Sequence, residues 1–264
     1  QYARETGDSL FWVSGRALSV GAKRFKSIVF RALDYLPPGE VSFADYGRAI
    51  LAADQAAFPD AGRIRKWIRD EFVGRGIVLE AAWLDVKTDF AHEEPSDLDL
   101  DTLMRSDWMA YEFANRNRDL LGAPADVPLW VRPRLDVTKR YYYRDGPRDI
   151  RELLFKVSWD VYEPSGLSAS YPRQRQITVG STLAIDWDSR RVRARLVSEQ
   201  DEQTTEDRAA FLRRLADAGA LLPDHLSIGP DGKRLRSVAR AETMADDLMR
   251  VRGTARLLHV LEVL

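Results

Sequence analysis

The chain has no cysteine, which excludes disulfides, thiolate nucleophiles and cysteine-ligated zinc or iron–sulfur centres together. Its three histidines, at 92, 225 and 259, leave little material for imidazole chemistry. No apolar run approaches the roughly 18 residues that cross a bilayer, and the first residues have neither the basic start nor the apolar stretch of a signal peptide. Neither charge sign is in excess. Forty Lys and Arg face 41 Asp and Glu, for a net charge of -1, so nothing draws the whole chain to nucleic acid or to an anionic membrane. These absences together suggest a cytoplasmic protein without membrane or nucleic-acid partners.

What is present is the material of a folded protein. Hydrophobic residues make up 45% and charged residues 31%, with ten Phe, nine Tyr and seven Trp to fill a core. A length of 264 residues suggests two domains. Numbering from Gln1 rather than Met suggests a longer gene product or a processing site.

The first part of the chain has helical periodicity. From Ala22 to Leu36, Phe25, Ile28, Val29, Ala32, Leu33 and Leu36 recur at three- and four-residue steps, with basic residues between them. Pro37-Pro38-Gly39 stops this helix. Ser42 followed by Asp45 reads as a capping box, with Val41 and Tyr46 at staple spacing, and predicts a helix to about Ala57. Asp60 is placed to cap a third helix, with Ile64, Trp67, Ile68 and Phe72 on its buried face and Gly74-Arg75-Gly76 at its end. The acidic stretch from His92 to Asp101 reads as a linker, and Asp101 to Leu121 as one more amphipathic helix.

Beyond Val127 the pattern changes to short runs of β-branched and aromatic residues. Strands are expected over Leu129–Tyr143, Leu153–Tyr162, Arg175–Trp187 and Arg191–Val197, the last two joined as a hairpin through Asp186 to Arg190. A helix over Glu206–Ala218, with Phe211, Leu212 and Leu215, should cover that sheet, and Arg256–Leu264 is expected as a closing strand. The fold class is therefore α+β: a helical lobe over residues 1–123, then an antiparallel-sheet α+β domain over 124–264.

The candidate sites are few. His92-Glu93-Glu94-Pro95 starts like a zinc-peptidase helix, yet Pro95 interrupts it and Ser96 stands where the second histidine is needed. His225, after Pro223-Asp224, is a weak acid/base candidate without a partner nucleophile, and His259 sits in an apolar run. Val13-Ser14-Gly15 lacks the first glycine of a nucleophile elbow, and Gly229-Pro230-Asp231-Gly232 reads as a β-turn. Tyr141, Tyr142 and Tyr143, flanked by Lys139, Arg140 and Arg144, mix rings with cations. On a strand such residues alternate between faces, so Tyr142 and Arg140 are weak surface candidates. No catalytic or metal-ligating residue is assigned.

Read continuously, FKSIVFRALDYLPPGEVSFADYGRAILAADQAAFPD and the following RKWIRDEFVGRGI resemble the closing helices of the gluzincin peptidases, the thermolysin and fungalysin group. The resemblance runs from Phe25 to Ile77. It implies a helical lobe in which Arg48, Asp54 and Arg75 are structural residues of the motif. It also implies that zinc, held by a His-Glu-x-x-His helix and a later glutamate, belongs to an upstream segment absent from this chain. On that basis the chain is expected to be the C-terminal, non-catalytic part of a zinc metallopeptidase, partnered by the zinc-bearing segment or by another protein chain. The alternative is a stand-alone interaction or regulatory module.

Overall fold

The computed structural model describes residues 10–58, 62–86, 99–143, 146–223, 239–245 and 247–253. The fold is α+β. The chain forms two compact units, divided at Ser158/Trp159, Val179/Gly180 and Ser198/Glu199 rather than at residue 124. Two strands, β3 (Gly146–Pro164) and β4 (Gln174–Asp186), contribute residues to both.

In the first unit, α1 (Leu10–Tyr35), α2 (Phe43–Ala57) and α3 (Gly62–Gly74) follow one another. Ser42 caps α2 as its sequence predicts, accepting from the Asp45 amide while the Asp45 carboxylate accepts from the Ser42 amide. The helix is built from small residues, so neighbours approach closely. A Cβ on Gly47 would stand 2.6 Å from Phe72 and 2.8 Å from Leu84.

The predicted helix over Asp101–Leu121 breaks into three pieces: α4 (Leu100–Arg105), α5 (Asp107–Arg116) and α6 (Arg118–Leu121). Ser106 is the reason for the first break. Its hydroxyl accepts from the Met109 amide and starts a new helix instead of continuing the old one. Gly122, at φ 65°, ends the last piece in the left-handed conformation.

Strands β1 (Trp130–Val131) and β2 (Leu135–Tyr143), with Pro133 between them, replace the single predicted strand over Leu129–Tyr143. Both pair antiparallel with β3, and β4 pairs antiparallel with β5 (Val192–Val197). The predicted hairpin is present. Asp186 Oδ1 accepts from the amides of Asp188 and Ser189 at 3.0 and 2.8 Å, and Arg190 takes a left-handed φ of 61°.

One core joins helices and sheet in this unit. Ile28, Ala32 and Tyr35 of α1 and Ala49, Ala53 and Ala56 of α2 cluster with Tyr141, Leu154, Ala184, Ala194 and Leu196. The boundary expected near residue 124 is therefore corrected, because the sheet buries its apolar face on the N-terminal helices and not on a separate domain's helix. The C-terminal end of α1 is held at the carbonyl of Leu36, which accepts from Lys156 Nζ and Thr182 Oγ1 at 2.9 Å each.

The second unit contains the C-terminal part of β3, the first residues of β4, α7 (Glu202–Asp217), β6 (Leu221–Pro223), β7 (Ala239–Ala245) and β8 (Leu248–Gly253). Its pairings are mixed: β7 and β8 are antiparallel, whereas β4–β8 and β6–β7 are parallel. An all-antiparallel second half is thus corrected. Leu212 and Leu215 of α7 pack with Leu221, Ala239, Ala241 and Met249, and Phe211 flanks them. The apolar stripe of this helix was read correctly, and within this unit it packs on residues of β6, β7 and β8.

The expected faces of α1 and α3 hold in part, since Ile28 and Ala32 are buried and Ile68 and Phe72 pack against the core. Phe25 and Leu33 are exposed while Ile28, Ala32 and Tyr35 are buried, and Trp67 is 53% exposed with no fully buried residue on α3. Periodicity gives the angle between apolar positions but not which of two apolar arcs meets the core. The expected strand over Arg256–Leu264 and the linker residues 92–98 lie outside the described residues.

Candidate functional site

The first unit contains a buried cluster of ionisable groups around Glu152. In the β2–β3 ladder Glu152 lies opposite Val137, while Lys139 and Tyr141 follow at two-residue steps and share its face. Tyr35 reaches the cluster from the last turn of α1 and Arg193 from β5. Glu152, Tyr35 and Tyr141 have no exposed surface.

The Tyr35 hydroxyl donates to Glu152 at 3.2 and 3.3 Å and stands 3.1 Å from the Tyr141 hydroxyl, and Tyr141 donates to Glu152 Oε1. Arg193 Nε is 3.4 Å and Lys139 Nζ 3.7 Å from the same carboxylate. Lys139 is also paired with Asp34 at 3.1 Å, and Arg193 with Asp186 at 3.2 Å. The rings carry cations on their faces, with Lys139 over Tyr35 at 4.3 Å and Arg193 over Tyr141 at 4.5 Å.

Burial dominates the electrostatics. It raises the Glu152 carboxyl above the usual range against the opposing pull of Lys139 and Arg193, and it holds the Lys139 ammonium below its ordinary value. The Tyr35 phenol is raised well above its own, first by burial and then by the neighbouring Glu152 charge. Perturbed groups of this kind are found at active sites and in structural networks alike. Access separates the two. With the carboxylate and both phenols closed off from solvent, the arrangement braces α1, β2, β3 and β5.

The residues singled out in the sequence fall elsewhere. Asp54, fully buried near the end of α2, receives Arg24 of α1 on Oδ1 at 2.9 and 2.5 Å and Arg65 of α3 on Oδ2 at 3.1 Å. Phe58, just beyond α2, lies under the Arg24 guanidinium at 4.0 Å, and its carbonyl accepts from Arg65 at 2.9 Å. Arg48 pairs with Asp45 at the start of α2. Arg75 is on the surface beside Glu71 at 3.0 Å.

Along β2 the expected alternation holds for Lys139 to Tyr142, with Lys139 and Tyr141 inward and Arg140 and Tyr142 outward. Neither outward residue offers an open platform. Tyr142 stacks on Phe58 at 5.0 Å with 4° between the rings, and Arg140 grips Asp149 through two 2.8 Å hydrogen bonds. His225 lies outside the described residues.

Sequence reasoning missed Glu152 and its partners because they come from four separate elements. The one available signal was Lys139 and Tyr141 at strand spacing. The second unit has a smaller cluster, where Glu163 receives Arg175 at 2.6 Å and Arg208 at 2.8 Å. A cleft lined in part by Asp99, Thr102, Glu112 and Arg116 holds about 40 Å³, enough for a few waters.

Among the described residues no three His, Asp or Glu side chains are grouped to hold a metal ion. No described helix is long and apolar enough to cross a membrane. No family model, curated protein or solved structure matches the chain.

Proposed function

We propose that this chain is the C-terminal, non-catalytic part of a gluzincin-like zinc peptidase, and that α1, α2 and α3 form a scaffold lobe completing a cleft whose zinc site lies on another segment. The observation that carries the reading is the Arg24–Asp54–Arg65 clamp. The Ala53-Asp54 pair near the helix end, part of the resemblance, supplies the buried carboxylate that ties three consecutive helices together. A preassembled lobe of this kind is what a neighbouring catalytic segment would pack on. The clamp serves assembly, since both carboxylate oxygens are occupied by arginines of the same lobe.

The test starts with the coding region upstream of Gln1, read for a His-Glu-x-x-His helix followed by a glutamate-bearing helix. The joined polypeptide and the chain alone are then assayed for bound zinc and peptide cleavage. The proposal expects one zinc and cleavage in the joined protein only. An upstream region without that motif overturns it and leaves the stand-alone interaction module as the reading.

A further inference from the structure

Among the described residues, few pack on the N-terminal half of α1. From Ser14 to Lys26 every residue is exposed except Arg24, which is half-buried against Asp54. Leu18 is 75% exposed, Val20 66% and Phe25 65%. Among the described residues, nothing beyond the helix itself lies within 4 Å of where a side chain would start at Gly15 or Gly21. Glycine is a poorer helix former than alanine, so two of them in an exposed stretch leave this half little stability from propensity.

Most of the exposed apolar residues share one side of the helix, with Val20 on the opposite side. Leu18, Ala22, Phe25 and Leu33 fall on one stripe of the helix with Phe30 beside it, while Val29 between them is partly buried against the core. This stripe is distinct from the arc of Ile28, Ala32 and Tyr35 that enters the core. Lys26 and Lys23 border it, and between Ser14 and Leu33 there are five Lys and Arg and no Asp or Glu. A contiguous apolar stripe left in water marks a surface that something else covers.

We propose that this face of α1 seats an acidic amphipathic helix of a partner protein segment. The inference rests on the reading of α1 to α3 as a lobe completed by another segment, and it names the chemistry of that segment. Its apolar residues would cover Leu18, Phe25 and Leu33 while its carboxylates meet Lys23 and Lys26. A second copy of the chain fits poorly, because it brings the same cations to the same stripe. An anionic bilayer also fits less well. Such surfaces recruit clusters of about four to eight cations, and here Arg24 is turned to Asp54 and Arg31 to the carbonyl of Arg140, so the cations of this face number fewer than that.

The experiment titrates the whole chain with three probes: a labelled synthetic helix of leucine heptads with glutamate elsewhere, its lysine counterpart, and phosphatidylcholine–phosphatidylglycerol vesicles. Binding is read by anisotropy or co-sedimentation, and hydrogen exchange over Ser14–Lys26 reports whether α1 is the contact. The glutamate helix is expected to bind, more weakly in high salt, and to slow exchange in that segment. The Lys23→Glu/Lys26→Glu variant and, separately, Phe25→Ser should each weaken it about tenfold or more, with unchanged circular dichroism.

Equal binding of the lysine helix, protection by vesicles alone, no binding of the glutamate helix, or self-association abolished by Phe25→Ser would each overturn the proposal. These outcomes are separate from those of the peptidase reading, which turns on an upstream zinc motif and on zinc content.

Discussion

Asp54 on α2 holds Arg24 on α1 through a single carboxylate oxygen, at 2.9 Å from Nε and 2.5 Å from the second guanidinium nitrogen. Its other oxygen is occupied by Arg65 of α3, so one buried charge sets the packing of three helices. Replacing it leaves two guanidiniums facing a site without a counter-charge. Asp54→Ala should cost about 3 kcal/mol, read from urea midpoints, because breaking a buried pair strands the remaining charges. A loss below about 1 kcal/mol would show that the arginines find water instead.

Glu152 and Lys139 predict opposite pH dependences. Burial raises the folded Glu152 carboxyl above its unfolded value, so its contribution to stability is complete in acid and is lost as pH climbs through the raised value. Lys139 is held below its ordinary value, so its contribution is complete at alkaline pH and is lost as pH falls through the depressed value. Glu152→Gln should therefore flatten the fall in stability as pH rises above the ordinary carboxylate range. Urea midpoints across that rise measure it, and an unchanged slope would remove Glu152 as its source.

The same two residues should be strongly coupled. Removing either charge alone leaves the other buried beside Tyr35, whereas Glu152→Gln with Lys139→Met removes both. The double variant is expected to be more stable than the sum of the singles by about 1 kcal/mol or more in a double-mutant cycle. Additivity would mean that Asp34 and Arg193 already satisfy each partner separately.

Gly180 on β4 marks a close approach of backbone. A Cβ there would stand 2.3 Å from the Val157 carbonyl oxygen and 2.7 Å from Pro38 Cγ. Gly180→Ala must push one of them away and should destabilise by about 1–3 kcal/mol. Thermal unfolding at the wild-type midpoint or above would exclude that contact.

Two aromatic truncations separate the buried arc from the exposed one. Phe155 is fully buried and meets Phe113 edge to face at 5.0 Å, so Phe155→Ala should cost about 3–5 kcal/mol. Trp67 is half in water beneath Arg63, 5.0 Å from its ring, and Trp67→Ala should change stability by less than about 1 kcal/mol. The reverse order in a denaturation series would restore Trp67 to the core.

The α+β class, the capped start at Ser42, the hairpin through Asp186 and the apolar stripe of α7 were all legible in the sequence. Each is a local matter: a capping serine, a turn carboxylate or a period of 2 or 3.6 acts over a few residues. Tertiary structure alone decided which stripe of α1 entered the core, that β4 pairs parallel with β8, and that Tyr35, Lys139, Tyr141, Glu152 and Arg193 meet. Those outcomes depend on residues up to 158 positions apart, from Tyr35 to Arg193, brought together by the burial of whole faces. Periodicity shows that a face exists, but only the competition among all faces for a limited core decides which of them is covered.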